Sequence, residues 1–190
     1  CPSDSTTAAP NIISGVTFHN YVANHGNTTL QRQATFGKSL TGQDNKFKGA
    51  PFIFVGQWNS NPQVVKLQDI FDGLSNTLAF SHTVQGHAGD LRGFAWWNGG
   101  AHFETFLPPN SSQPDILENI SYCIKTDTYN PPCDGPTTAN PSNIAARSRH
   151  PGGVQACLCD GSVRFITNRI NLDTWRAIST GAGRESASDF

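Results

Sequence analysis

The chain has 190 residues, a formal net charge of −1 and only 14% charged residues. That length suits one domain with a sizeable core. No block of Lys or Arg marks a nucleic-acid partner, and no apolar run approaches the roughly 20 residues of a membrane helix.

Methionine is absent, even at position 1. The stretch therefore reads as a processed or truncated part of a longer product, with Cys1 at a fragment boundary in preference to a lipidated mature end. No signal peptide is visible. The five cysteines are Cys1, Cys123, Cys133, Cys157 and Cys159. An odd number in a Ser/Thr/Asn-rich chain suggests an exported protein with some disulfides and one unpaired thiol, or a partner in the missing segment. Asn27, Asn110 and Asn119 open glycosylation sequons, which lean the same way.

In chain order, residues 1–15 form a turn-rich entry. Val16 to Ala23 alternate in character and predict a strand. Residues 27–50 are polar and Gly-spaced, a long surface loop. "PFIFVGQW" predicts a second strand, and "VVKLQDIFDG" is ambiguous between a helical turn and a strand. "NTLAFSHTV" alternates cleanly. "FAWWNGGAHFETF" reads as a hairpin around Asn98-Gly99-Gly100. Residues 108–143 are too long for an ordinary connection, so they predict a variable loop or small subdomain, which Cys123 and Cys133 could staple.

"HPGGVQACLCDGSVRFI" reads as a hairpin with a two-residue type I′ turn at Asp160-Gly161. That register places Val154, Ala156, Leu158, Val163 and Phe165 on one face, and Gln155, both cysteines and Arg164 on the other. His150 and Asp160 then lie at opposite ends of a strand roughly 20 Å long, whereas an acid–base pair needs about 3 Å. Their spacing is structural. Cys157 and Cys159 are poorly placed to bridge each other, and zinc would want a second ligand pair. The C-terminal helix has Asn171 or Asp173 as N-cap, Leu172, Trp175 and Ile178 on one face, and Gly181 at its stop. Six or seven strands with one or two short helices predict a single α+β, mainly antiparallel β domain over 1–190.

Several stretches together resemble a large planctomycete family with prepilin-type N-termini and a C-terminal His-x9-Asp-Gly domain. They are "CPSD" (Cys1 to Asp4), "NYVANHG" with Asn20 and Tyr21, "DIFDGLSNTLAFSH" with Asp72 and Gly73, "SRHPGGVQACLCDGSVRFI" with His150, Gly152, Gly153, Asp160 and Gly161, and "NRINLDTWRAISTGAG". The resemblance implies the globular head of a pilin- or pseudopilin-like protein, with a hydrophobic membrane helix ahead of Cys1 in the full-length product. It implies self-assembly or contact with other surface or secretion proteins, at the cell surface, outside the cell or in the periplasm. His82 departs from the family, which usually has an acidic residue there.

No Ser elbow or phosphate loop occurs. The six histidines, His19, His25, His82, His87, His102 and His150, match no recognised metal spacing. Asp127 and Asp134, with Asp115 and Glu118 nearby, are weak calcium candidates without EF-hand spacing. No other cofactor is expected. Trp58, Trp96 and Trp97 could form a sugar platform, although core packing is the commoner use of such rings. The expectation is a non-enzymatic assembly subunit. An extracellular carbohydrate- or solute-binding module comes second, and a metal-dependent hydrolase third.

Overall fold

The computed structural model of the chain describes residues 1–4, 17–53, 64–184 and 190. Trp58 and most of the expected "PFIFVGQW" strand lie outside them. The fold is α+β and mainly β. A five-stranded sheet has the order β5-β1-β4-β8-β9, where β1 is Tyr21–Asn24, β4 Leu78–His82, β5 His102–Phe103, β8 Gly153–Leu158 and β9 Val163–Thr167. All its pairings are antiparallel except β1 with β5, which run parallel.

The expected loop over 27–50 contains a hairpin, β2 (Thr35–Lys38) and β3 (Asp44–Lys46). The 108–143 segment contains a small parallel pair, β6 (Asp115–Ile116) and β7 (Cys133–Asp134). Cys123 and Cys133 are disulfide-bonded across a sequence separation of 10. Closing so short a loop contributes about 3 kcal/mol in the chain-entropy account.

One face of the five-stranded sheet carries the core. Val22, Leu78, Phe103, Val154, Ala156, Leu158 and Ile166 pack there against Trp175 and Ile178. Each buried Leu or Ile is worth about 1.5–3 kcal/mol. Trp175 and Ile178 belong to the helix α1, Leu172–Ala177, and its C-cap. Asn171 is the N-cap, and its side chain accepts from the amides of Asp173 and Thr174. The Trp175 indole donates to the Leu107 carbonyl at 3.0 Å, so its polar atom is satisfied inside the core.

Two sequence expectations need correction. Around Asn98-Gly99-Gly100 there is no hairpin. Residues Asn98–Gly100 form a 3-10 turn, and His102–Phe103 leaves it to pair with β1 instead. The hairpin of β8 and β9 does form, but its register is one residue off the expected one. Cys157 opposes Val163, Ala156 opposes Arg164, and Gln155 opposes Phe165. Only Gly161 takes a positive φ, 87°, and Asp160 does not. The Leu158 amide donates to Ser162 and the Gly161 amide to Leu158. This is a three-residue loop with a left-handed glycine, not the two-residue type I′ turn. A one-residue slip reverses every side chain of a strand, so Ile166 enters the core while Val163 and Phe165 face outward.

Candidate functional site

The outward face of the sheet follows from that register. One row across β1, β4, β8 and β9 is Ala23, Phe80, Cys157 and Val163. The next row has Tyr21 opposite His82, and Gln155 opposite Phe165. Tyr21, Phe80, Val163 and Phe165 are 39–64% exposed. Lone surface apolar residues need no explanation, but four large ones on β1, β4 and β9, with Cys157 of β8 between Phe80 and Val163, form a patch of the kind that binds something.

At one end of this face the stretches that carry the resemblance converge. The Asn20 side-chain amide donates to Asp4 Oδ2 at 2.6 Å and to the Thr83 carbonyl, while its Oδ1 accepts from Gln85. Asp4 also accepts from the Gln85 amide and the Tyr129 hydroxyl, and Arg149 Nε lies 3.5 Å from it. The His82 ring lies 4.6 Å from that of Tyr21 and 5.0 Å from that of His150. Cys1 Sγ is 3.3 Å from His150 Nε2, and Ser3 Oγ is 3.3 Å from His150 Nδ1. Cys1 is thus held at the margin of the open face.

Cys1, His82 and His150 bring one potential ligand atom each within 4.8 Å of one another. His82 does not suit a shared ion. Its Nδ1 accepts from the Gln155 amide at 3.1 Å. A neutral imidazole accepting at one nitrogen carries its proton on the other, so Nε2 has no lone pair to offer. His82 is buried, and burial first, then His150, hold its pKa down to about 4 from an ordinary 6.5. The unfolded chain therefore binds more protons between those values, and stability falls as pH drops from 6.5 towards 4, by about 3 kcal/mol in all. Urea titrations across this range should show the loss, and His82→Gln should flatten it. An equally steep loss in the variant would move its origin elsewhere.

The other expected residues have structural partners. His150 and Asp160 sit at opposite ends of β8. Asp160 accepts from the Ser162 amide and hydroxyl, and its own amide donates to Leu74. That contact docks the hairpin tip beside the second Asp-Gly segment. There, Asp72 accepts from Thr180, Gly183 and Arg184, fixing the chain after α1, and Gly73 has φ 94°. Gly152 has φ 83°. At Gly153 a Cβ would lie 2.2 Å from the Ile166 carbonyl oxygen. Cys1, Cys157 and Cys159 are free thiols. Burial, then Cys157 and Asp160, push the Cys159 thiol up to about 11, which leaves almost no thiolate at neutral pH.

Asp127 pairs with His87, and Asp134 with Lys125. Asp115 is wholly buried between Arg92 and Arg147. The calcium candidates are therefore distributed among separate partners. Trp96 is exposed, whereas Trp97 packs edge-on against Tyr122. Asn27 is buried and bonded to Asn45 and Lys46, so it cannot carry a glycan in the folded chain. Asn110 is bonded to Gly153 and Asn168, and Asn119 is exposed at a 3-10 N-cap. A polar cleft of about 230 Å³ is lined by residues including Asn27, Asn45, Lys46, Asp173, Arg176 and Thr180.

Among the described residues no helix is long and apolar enough to cross a membrane. No curated protein and no solved structure matches the chain. The sequence model of one family, SBP_bac_10, described as "Protein of unknown function (DUF1559)", matches residues 1–173. The chain belongs to this DUF1559 family.

Proposed function

We propose that this chain is the globular head of an exported pilin- or pseudopilin-like subunit, with a structural and not a catalytic role. The observation that carries the reading is the open face bearing Tyr21, Phe80, Val163 and Phe165, with Cys1 held at its margin. Chain preceding Cys1 would enter beside an apolar sheet face that the described residues cover only in part, with Phe52 against Phe80. An apolar helix ahead of Cys1, as the resemblance implies, would bury that face as sheet-on-helix packing requires. The polar motif residues support a structural role: Asp4, Asn20, Asp72 and Asp160 direct their oxygens to backbone and side-chain donors within the chain. The test is fractionation of the full-length gene product from its native host. Recovery in a sedimenting surface or secreted assembly supports the reading, and recovery solely as a dispersed monomer opposes it.

A second reading, a module that binds a small polar solute, is favoured by the cleft at Asn27. Asn27 Oδ1 is buried without a partner, and Lys46, Asp173 and Arg176 supply charge around it. The cleft is smaller than the roughly 300–1,000 Å³ of ordinary ligand pockets, which places this reading second. Titrating the chain with monosaccharides and amino acids by calorimetry tests it. A heat of binding that Asn27→Ala abolishes would establish it, and no heat with any of them would dismiss it.

A further inference from the structure

His25, His102 and Glu104 lie together on the opposite edge of the sheet. The parallel pairing sets Ala23 opposite His102, and the His25 amide donates to the Phe103 carbonyl. Residues two apart on a strand share a face, so His102 and Glu104 project together while Phe103 turns into the core. His25 follows Tyr21 and Ala23 on that same face of the neighbouring strand. One potential ligand atom from each of the three falls within 4.8 Å of the others. Their exposures are 8%, 0% and 1%.

The cluster leaves polar atoms unaccounted for. His25 Nδ1, both His102 nitrogens and Glu104 Oε1 are buried without a hydrogen-bond partner. His102 Nδ1 and Glu104 Oε1 are only 2.8 Å apart but are not aligned as a hydrogen bond. Even if that pair were a simple ion pair, His102 Nε2 and His25 Nδ1 would stay orphaned. The rings are stacked, with centroids 5.1 Å apart and 25° between planes, so neither nitrogen can reach the other edge-on. A buried donor or acceptor left without a partner keeps its full desolvation penalty. Glu104 Oε2, by contrast, accepts from the Ile144 amide at 2.8 Å, which fixes the carboxylate.

We propose that His25, His102 and Glu104 hold a first-row divalent transition-metal ion, of which zinc is the type, as a structural staple. Two imidazoles and a carboxylate are a zinc donor set, with Zn–N distances of about 2.0–2.1 Å. Calcium and magnesium, which prefer all-oxygen shells, fit poorly. The staple also has a mechanical purpose. β5 is two residues long and pairs parallel to β1, and so short a pair holds little by itself. An ion bound by one strand and its neighbour would fix this edge. The proposal does not depend on the assembly role.

The experiment is to unfold the intact, disulfide-bonded chain in urea, refold it with Co²⁺ or Zn²⁺ alone, and remove excess ion. About one Co²⁺ per chain is expected, with visible d–d absorption and no thiolate-to-cobalt band. His102→Gln and Glu104→Gln should lose the ion, while Cys1→Ser and His82→Gln keep it. Zn X-ray absorption on the unaltered chain needs no variant and should show imidazole nitrogen and no sulfur. Absence of bound ion in the refolded wild type, a sulfur shell, or binding that survives both substitutions would overturn the proposal.

Discussion

Asp115→Asn is expected to destabilise the fold by about 3–5 kcal/mol, the usual cost of removing one partner from a buried ion pair. Asp115 is fully buried. Its Oδ1 accepts from the Ala145 amide and Arg147 Nη2, both at 2.9 Å, and its Oδ2 from Arg92 Nη1 and Arg147 Nε. Asp90 holds the rest of the Arg92 guanidinium through Nε and Nη2. Two guanidinium groups therefore face two carboxylates. Burial alone would raise the Asp115 pKa, but Arg147 and Arg92 outweigh it and hold the carboxyl below its usual range. The asparagine would leave one positive charge uncompensated and point an N–H₂ group at donors. Urea denaturation under oxidising conditions measures the loss. Asp134→Asn, at an exposed pair with Lys125, is the control and should change nothing measurable. Equal effects at both positions would contradict the view that this network holds the 108–143 segment to the sheet.

The second large effect is on assembly and spares the fold. Val163→Glu combined with Phe165→Glu places two charges on the exposed edge strand β9, on the face away from the core. Surface substitutions usually cost within about 0.5 kcal/mol, so the melting temperature should hardly move. If the apolar face packs against an apolar helix or a neighbouring subunit, burying two unpaired carboxylates there is prohibitive. The share of full-length product in the assembled fraction should fall at least tenfold. A variant that assembles normally would show that this face is not the packing surface.

Much of the β framework was legible. The stretch "NTLAFSHTV" placed β4, although its alternation breaks at a register shift between Leu78, in the core, and Phe80, which is exposed, and Asn171 with its apolar spacing placed α1. The short Cys123–Cys133 separation suggested the local bridge that forms. What failed did so for two physical reasons. Asp160-Gly161 was compatible with two loop lengths, and the choice between them was set by one φ angle at Asp160. That single difference moved Val163 and Phe165 from the core face to the surface, whereas Phe80 turns outward through a separate register shift in β4 between Leu78 and Phe80. The β1–β5 pairing joins residues about 80 positions apart through a 3-10 turn, and no local pattern encodes such a parallel contact. His25, His102 and Glu104 were therefore not seen together, although the His-x-Glu alternation at 102 and 104 was a usable hint.

In the working protein the outward face is expected to be covered by chain ahead of Cys1 or by a second copy. Site-specific photo-crosslinking from position 165 of the full-length product, in its native host, tests it most directly, with position 38 on the exposed β2 hairpin as control. Crosslinks are expected from 165 to the segment ahead of Cys1 or to a second copy, and few from 38. Equal, diffuse labelling from both positions would contradict that expectation.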